Sequence, residues 1–579
     1  MILIPAVRPR SSNARPLARG KGAFLIAALA LALLFLSGCC SSPAPRTAPR
    51  AAASMPGDRT AVLLAINDVY RIEGLDDGAT GGPARVRTLR RELEREAPDL
   101  LFLHGGDLLF PSFASRMYKG EQMIAVLNAL DGDPKAMDDR MFAVFGNHEF
   151  EKPKLKDASV LQSRVAESQF HWLGGNITFA NGADGKPLIV APNLARTALV
   201  ESGGIKIGIF GLTIPTLGVE YVQDFAAEEA TARELAAGLR ARGAEVVVAL
   251  THLNHADDEH LLRTLGPAGP DLTIGGHDHQ AMAIDAGGRW VLKADADART
   301  ATVVHLVKHA DGRLEVKHEL RKLAGDDPQP DPQVQALVDD WQARHEREFC
   351  AQAKAAPGCL EEVYGRTRTV LGAEEEEIRG QETSLGDWIG DRMLAAFASC
   401  GAQVAFLNAG SLRLNRDIEA GTTITRRHIE ELFAYPTPLY LLKIDGSLLQ
   451  QVAGQAVRGW PGSGSWLQIG GFAYRHDQEG KRALDLTWLG ARRGEAVAPG
   501  DTVLAVTGDY LVNPDIGDQD GYQFLTQEQI VRECAATGVD LKELVVRDLK
   551  AAEPAGIAPT VEGRICQGEA GAPCLAGAH

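Results

Sequence analysis

The sequence predicts an α/β protein in two parts, and three observations carry that reading. From about residue 60 to 280, short apolar runs alternate with helical patterns. Five of those runs end in carboxylate, amide or imidazole residues. A Pro/Asp-rich break, DDPQPDP at 326–332, then separates this stretch from a second segment starting near residue 360. At 579 residues the chain is too long for one core, and size alone allows three or four domain-sized units or two large ones.

The five runs come in this order. AVLLAI (61–66) leads to Asn67-Asp68, DLLFLH (99–104) to Gly105-Gly106-Asp107, and MFAVF (141–145) to Gly146-Asn147-His148-Glu149. VVVAL (246–250) leads to Thr251-His252, and DLTI (271–274) to Gly275-Gly276-His277-Asp278-His279. In an open α/β sheet the carboxyl ends of the strands form the ligand crevice, so Asp68, Asp107, Asn147, His252, His277 and His279 are expected at one edge. These are oxygen and imidazole donors without thiolate, a set suited to Mn, Zn, Fe or Mg rather than to structural zinc. The glycines before Asp107, Asn147 and His277 are expected to let the chain turn without a Cβ clash. Two further apolar strands are expected around Trp290–Lys293 and Ala301–Lys308, and Gln333 to Arg347 reads as a polar linker helix with apolar Val334, Leu337, Val338 and Trp341.

Composition sets outer limits. The apolar share of 45% and charged share of 23% are those of an ordinary soluble globular protein. A net charge of −16 argues against binding of nucleic-acid polymers, which need a basic footprint. It does not exclude a small anionic substrate, because metal ions and a few arginines can dominate one cleft.

The N-terminus reads as an address. Arg8, Arg10, Arg15, Arg19 and Lys21 precede an apolar run, Ala23–Leu36, that is too short to span a bilayer comfortably. Leu36-Ser37-Gly38-Cys39 resembles a bacterial lipoprotein processing box, which implies cleavage before Cys39 and a lipid on its thiol; a plain signal peptide or an uncleaved anchor is the alternative. Residues 1–38 are thus expected to be a signal peptide and 39–59 a disordered tether, on an exported protein held at the outer membrane facing the periplasm or at the cell surface. Of the six later cysteines, Cys350 with Cys359 and Cys566 with Cys574 could close small loops, leaving Cys400 and Cys534, one of 15 possible pairings.

The five strand-end motifs resemble the signature of the calcineurin-like metallophosphoesterases: D-x-H, GD, GNH(E/D), H and GHxH. The resemblance implies a four-layer α/β/β/α domain at about 60–325 and two divalent metal ions bridged by Asp107 and a hydroxide that attacks phosphorus. It implies Asp68 and His279 on one ion, and Asn147, His252 and His277 on the other. His148 is then the acid or transition-state stabiliser, with Glu151 holding its ring; the bland alternative for Glu151 is a solvated charge. Two positions depart from the family pattern. Glu151 stands where Asp is usual. Tyr70 replaces the histidine of D-x-H, either as a phenolate on a hard trivalent iron or as a group behind the ligands with water in the vacated place.

Past a linker helix at 326–359, residues 360–550 resemble the C-terminal substrate domain of 5′-nucleotidases, with 551–579 as a loose tail. Glu382-Thr383-Ser384-Leu385-Gly386-Asp387, Asn408-Ala409-Gly410-Ser411-Leu412-Arg413 and Gly517-Asp518-Gln519-Asp520-Gly521-Tyr522 carry that resemblance. It implies substrate contacts from Asn408, Arg413 and Tyr522, Tyr522 stacking on a base; a surface ion pair for Arg413 and core packing for Tyr522 are the alternatives. The partner aromatic of a base clamp would fall at Leu439, with Tyr435 and Tyr440 nearby, and Arg379 is a further candidate anion contact. The expected activity is metal-dependent hydrolysis of nucleoside 5′-monophosphates or related nucleotides outside the cytoplasm. The alternatives are a cyclic phosphodiesterase, a nucleotide-sugar or thiosulfate-ester hydrolase on the same scaffold, or a surface binding protein whose metal site has decayed.

Overall fold

A computed structural model describes residues 57–568, apart from 77, 217, 326, 478–480 and 517–518. The signal sequence, Cys39 and Cys574 lie outside the described residues. Arg59, assigned above to the tether, instead opens the first strand, Arg59–Ile66, with its guanidinium on Glu245.

That strand is apolar at nearly every position because both of its faces are covered. Ala61, Leu63 and Ala65 face a second sheet, while Val62, Leu64 and Ile66 face helices. Its seven-stranded sheet runs Leu314–Lys322, Thr300–Lys308, Arg59–Ile66, Leu101–His104, Met141–Val144, His171–Leu173 and Leu194–Ala195. Five of the strands are parallel, and the pair at the edge is antiparallel. The facing six-stranded sheet runs Met282–Asp285, Trp290–Lys293, Leu272–Gly275, Val246–His252, Ile205–Thr213 and Thr197–Ser202. One apolar cluster fills the space between the sheets, and two others lie under the outer helices, giving helix, sheet, sheet, helix.

The helix after the Pro/Asp break spans Pro332–Gln352, longer at both ends than the sequence suggests. Asp331 caps it by accepting from Gln333 and Val334 N–H, with Pro332 in the first turn. Val334, Val338 and Trp341 join the first domain's helical core, and the Trp341 ring meets Tyr118 edge-on at 5.1 Å.

The second domain has a four-stranded sheet, ordered Leu439–Asp445, Thr502–Gly508, Val404–Asn408 and Leu467–Gly470, over its own core. A three-stranded sheet pairs Phe472–His476 with Ala483–Trp488 and with Ile565–Gln567. The expectation of a loose tail after 550 is therefore corrected: the helix Leu541–Ala551 and the strand Ile565–Gln567 are integral. Ile565 N–H donates to Glu382, and Arg564, buried, pairs with Asp391 at 2.9 Å. Disulfides join Cys350 to Cys359 and Cys400 to Cys534.

Candidate active site

The five strand ends converge as their order suggests. Asp68, Asp107 and His279 present donor atoms all within 4.8 Å of one another, among them Asp68 Oδ1 and His279 Nε2 at 3.3 Å. Beside them His252 Nε2 lies 3.3 Å from Asp107 Oδ2 and 3.2 Å from Asn147 Oδ1, and His277 Nδ1 lies 3.1 Å from the same amide oxygen. Asp107 Oδ1 accepts the His148 backbone N–H, which leaves Oδ2 facing both groups of donors.

The backbone explains the tight grouping. Asp68, Asp107, His277 and His279 all adopt positive φ, 53°, 56°, 84° and 63°. Such conformations cost a non-glycine residue of order 1–3 kcal/mol and persist where the surroundings over-determine them. The expected role of the glycines is corrected in part. Gly146 has no positive φ, but a Cβ there would sit 2.0 Å from the Asp107 carboxylate, so close approach is what excludes a side chain.

The donor chemistry fits two divalent cations. His252 Nδ1 lies 2.7 Å from the Gly105 carbonyl, which makes Nδ1 the donor and turns Nε2 toward Asp107 and Asn147. Burial opposes charge on His252 and His279, yet Asp107 lifts the first to about 9, and Glu375 with Asp68 lifts the second to about 10. Burial likewise opposes charge on Asp107, but His252 and His148 outweigh it and hold the carboxyl below its ordinary range. The protein thus concentrates negative charge where cations belong.

Tyr70 points into the same cluster. Its hydroxyl lies 2.7 Å from His279 Nε2 and donates to Asp107 Oδ2 at 3.0 Å. Burial and the adjacent Asp107 and Asp68 carboxylates push this phenol well above its ordinary pKa, so it stands as a neutral hydrogen-bond donor.

His148 sits at the rim, its side chain 16% exposed, with Nδ1 2.5 Å from Glu151 Oε1. The extra methylene of Glu151 relative to Asp is accommodated. The same oxygen accepts from the Tyr435 hydroxyl of the second domain at 2.5 Å. Arg413 also reaches the site, half-buried beside Tyr435, Glu375, Tyr70 and Glu151, while its Nε donates to the Gly410 carbonyl.

Two expected substrate contacts lie engaged within the second domain. Tyr522 is fully buried and its hydroxyl donates to the Ser465 carbonyl, so its ring offers no free face to a base. Asn408 is buried with both side-chain ends engaged, donating to Asp520 and accepting from Ser411, so it shapes the loop instead. Leu439 lies in a strand with no exposure, and Arg379 is drawn to Glu375 at 2.5 Å.

Four residues were given no role at the metal cluster by sequence. Glu149 accepts N–H groups from Asp107, Leu108, Leu109 and Gly146, pinning two ligand loops together. Lys293 holds Asp278, which lies between His277 and His279. Glu375 and Tyr435 come from the second domain. Of these only Glu149 carried a signal, its place in GNHE; the others meet the site through tertiary contacts without local pattern.

Comparison with known proteins gives the same picture. Residues 61–281 match the calcineurin-like phosphoesterase family, and residues 363–526 match the 5′-nucleotidase C-terminal domain. The chain is 24% identical over 538 residues to the trifunctional nucleotide phosphoesterase protein YfkN of Bacillus subtilis, covering 85% of this chain but 34% of that protein. It is 22% identical over 587 residues to the 5′-nucleotidase of Bos taurus, covering 93% and 96%. In fold it is similar to a 5′-nucleotidase precursor from Thermus thermophilus (TM-score 0.71, 21% identity, 89% of this chain and 100% of that one). It is also similar to the sulfate thiohydrolase SoxB from Thermus thermophilus (TM-score 0.66, 17% identity, 89% and 97%). With both domain patterns matched and the strand-end donors assembled, the chain belongs to the metal-dependent phosphoester hydrolases that join a calcineurin-like phosphoesterase domain to a 5′-nucleotidase C-terminal domain.

Proposed function

We propose that the chain hydrolyses nucleoside 5′-monophosphates or related nucleotides, with the division of labour set near 326–359: chemistry before it, substrate selection after it. The observation that carries this reading is the convergence of Asp68, Asp107, Asn147, His252, His277 and His279 beside His148. Asp68, Asp107 and His279 would hold one divalent ion, and Asp107, Asn147, His252 and His277 the other, with Mn, Zn, Mg and Fe all compatible with this donor set. Such a pair supplies Lewis acidity and activates water near neutral pH.

The protein's own groups do the rest. Glu151 holds His148 through Nδ1 and so turns Nε2 toward oxygen at the reacting phosphorus. Arg413 brings a fixed cation to the same cleft, matched to a phosphoryl anion. Tyr435 holds Glu151 from the second domain, so the two domains must be together for the histidine to be oriented. Tyr70, neutral, hydrogen-bonds to Asp107 rather than serving as a phenolate ligand. Export and a lipid on Cys39 belong to the same reading, and the named relatives include snake venom 5′-nucleotidases.

A second reading has its own support. The sealed Tyr522 and Leu439 remove the base clamp, which favours a smaller ester or a thiosulfate ester. Both readings are tested by phosphate release from residues 41–579 against AMP, UMP, a nucleotide sugar and p-nitrophenyl phosphate, and by sulfate release from a thiosulfate ester. Mn, Zn, Mg or Fe is added, beside Asp107→Ala and His148→Ala controls. Metal-dependent AMP hydrolysis lost in both controls supports the nucleotidase; no release of phosphate with any metal would overturn it.

A further inference from the structure

The three ligand histidines are not supported alike. His252 has its rear nitrogen on the Gly105 carbonyl at 2.7 Å, within its own domain. His277 presents Nδ1 toward Asn147 and is tied by its backbone N–H to Asp68 Oδ2 at 2.9 Å. His279 turns Nε2 into the site, 3.3 Å from Asp68 Oδ1, and its rear nitrogen Nδ1 faces the second domain. There, 2.8 Å away, is Oε1 of Glu375, at ion-pair distance though off the line of a hydrogen bond, so that Nδ1 has no other partner among the described residues.

Glu375 is built to stay in that place. It opens a short helix, Glu375–Ile378, whose cap is Glu374. Its backbone N–H donates to Asn415 Oδ1, and Asn415 Nδ2 in turn donates to Asp297 of the first domain. Arg379 Nη2 holds the same carboxylate oxygen, Oε1, at 2.5 Å. Glu374 pairs with Arg299, again across the domains. Only 9% of Glu375 is exposed.

We propose that Glu375 is the positioning residue of His279, so that the second domain completes the metal centre of the first. A carboxylate behind a ligand imidazole fixes which nitrogen carries the proton and raises the basicity of the one facing the ion. Here that carboxylate arrives from about 100 residues later in the chain, on another domain. The ion held by Asp68 and His279 is therefore bound at full strength only while the domains are closed, whereas the ion held by Asn147, His252 and His277 is supported within the first domain. The inference rests on the reading of Asp68 and His279 as ligands of one of two ions.

The test is Mn binding to the full mature chain and to Glu375→Gln, both first stripped with a chelator. Binding is followed by calorimetry and by electron paramagnetic resonance, which separates a coupled Mn pair from a lone Mn. Thermal melting of both stripped proteins checks that the variant is folded. The expected result is two ions in the wild type and, in the variant, one affinity unchanged and the other weakened by roughly 10- to 100-fold. At limiting Mn the variant should then give the signal of a lone ion where the wild type gives the coupled pair. Glu375→Gln retaining both ions at wild-type affinity, with only its KM for substrate changed, would overturn the proposal and assign the carboxylate to Arg379 and Arg413. A wild type binding fewer than two ions would instead overturn the two-ion reading on which it rests.

Discussion

Lys293→Met should be among the most damaging single changes in the first domain. The ammonium is 1% exposed at its side chain and lies 2.6 Å from Asp278 Oδ2 and 2.8 Å from Asp258 Oδ2. It also donates to the carbonyls of Leu253 and Gly276 at 2.6 and 2.8 Å. Asp258 has no exposure at all, and burial already raises its carboxyl pKa despite the lysine. Methionine fills the space but leaves the Asp258 carboxylate fully buried without its cation, while Asp278 keeps His255, a loss of about 3–5 kcal/mol. At roughly 2–4 °C per kcal/mol for a domain of this size, the melting midpoint should fall by roughly 6–20 °C. The loss has a sign in pH. With its cation gone, Asp258 has a folded pKa further above the unfolded one, so the variant loses stability as pH rises through that window and recovers some as pH falls. Calorimetric melts at pH 5 and 7.5 measure both effects. Adding Asp258→Asn to Lys293→Met should restore part of the loss by removing the most buried charge. A drop below about 1 kcal/mol at pH 7.5, or the same drop at both pH values, would refute this account of the cluster.

Further outcomes follow from other contacts. Tyr70→Phe should keep both ions, and the iron-loaded wild type should lack visible phenolate colour; a colour that vanishes in Tyr70→Phe would make the tyrosine a ligand. His345 is buried against Phe113, 4.3 Å between ring centres, and burial with nearby Arg427 and Arg116 lowers its pKa to about 4. Its unfolded form takes up a proton first, so stability falls as pH drops from about 6.5 towards 4, by at most about 3 kcal/mol. Urea titrations of His345→Leu should show a correspondingly flatter slope over that range. Removing Cys400–Cys534 with paired serines should cost more, about 2–5 kcal/mol, than removing Cys350–Cys359, because the former closes a loop of separation 134 and the latter one of 9. Equal melting points for the two variants would count against that ordering.

The strands and the donor residues at their ends were legible because each strand is a local apolar run whose last residue meets the sheet edge by construction. Asp68, Asp107, Asn147, His252, His277 and His279 needed no knowledge of the rest of the chain to be placed together. The surroundings of Tyr522 and Asn408 were not legible, for the opposite reason. Their motif is local, but whether a ring packs inward or an amide is free depends on partners such as Ser465 and Asp520, more than 50 residues away. The roles of Glu375, Tyr435 and Lys293 were not legible, because each reaches the site through a contact set by packing, not periodicity. The tail was read as loose from its Ala, Gly and Pro content, yet Glu382, Asp387 and Asp391 give its arginine and backbone amides specific partners.

Those tail contacts constrain the order in which the second domain can form. The Ile565–Gln567 strand lies parallel to Phe472–His476, and Glu382 waits for amide donors at Glu562 and Ile565. Until the chain has been made through residue 567, that carboxylate and the neighbouring Asp387 lack these donors, and the three-stranded sheet lacks one edge. A ribosome-bound chain can therefore assemble the first domain early while the second remains unfinished. A cut just before Pro559 should leave a protein that keeps its metal-binding strands but holds Glu375 and Tyr435 on a weakened support.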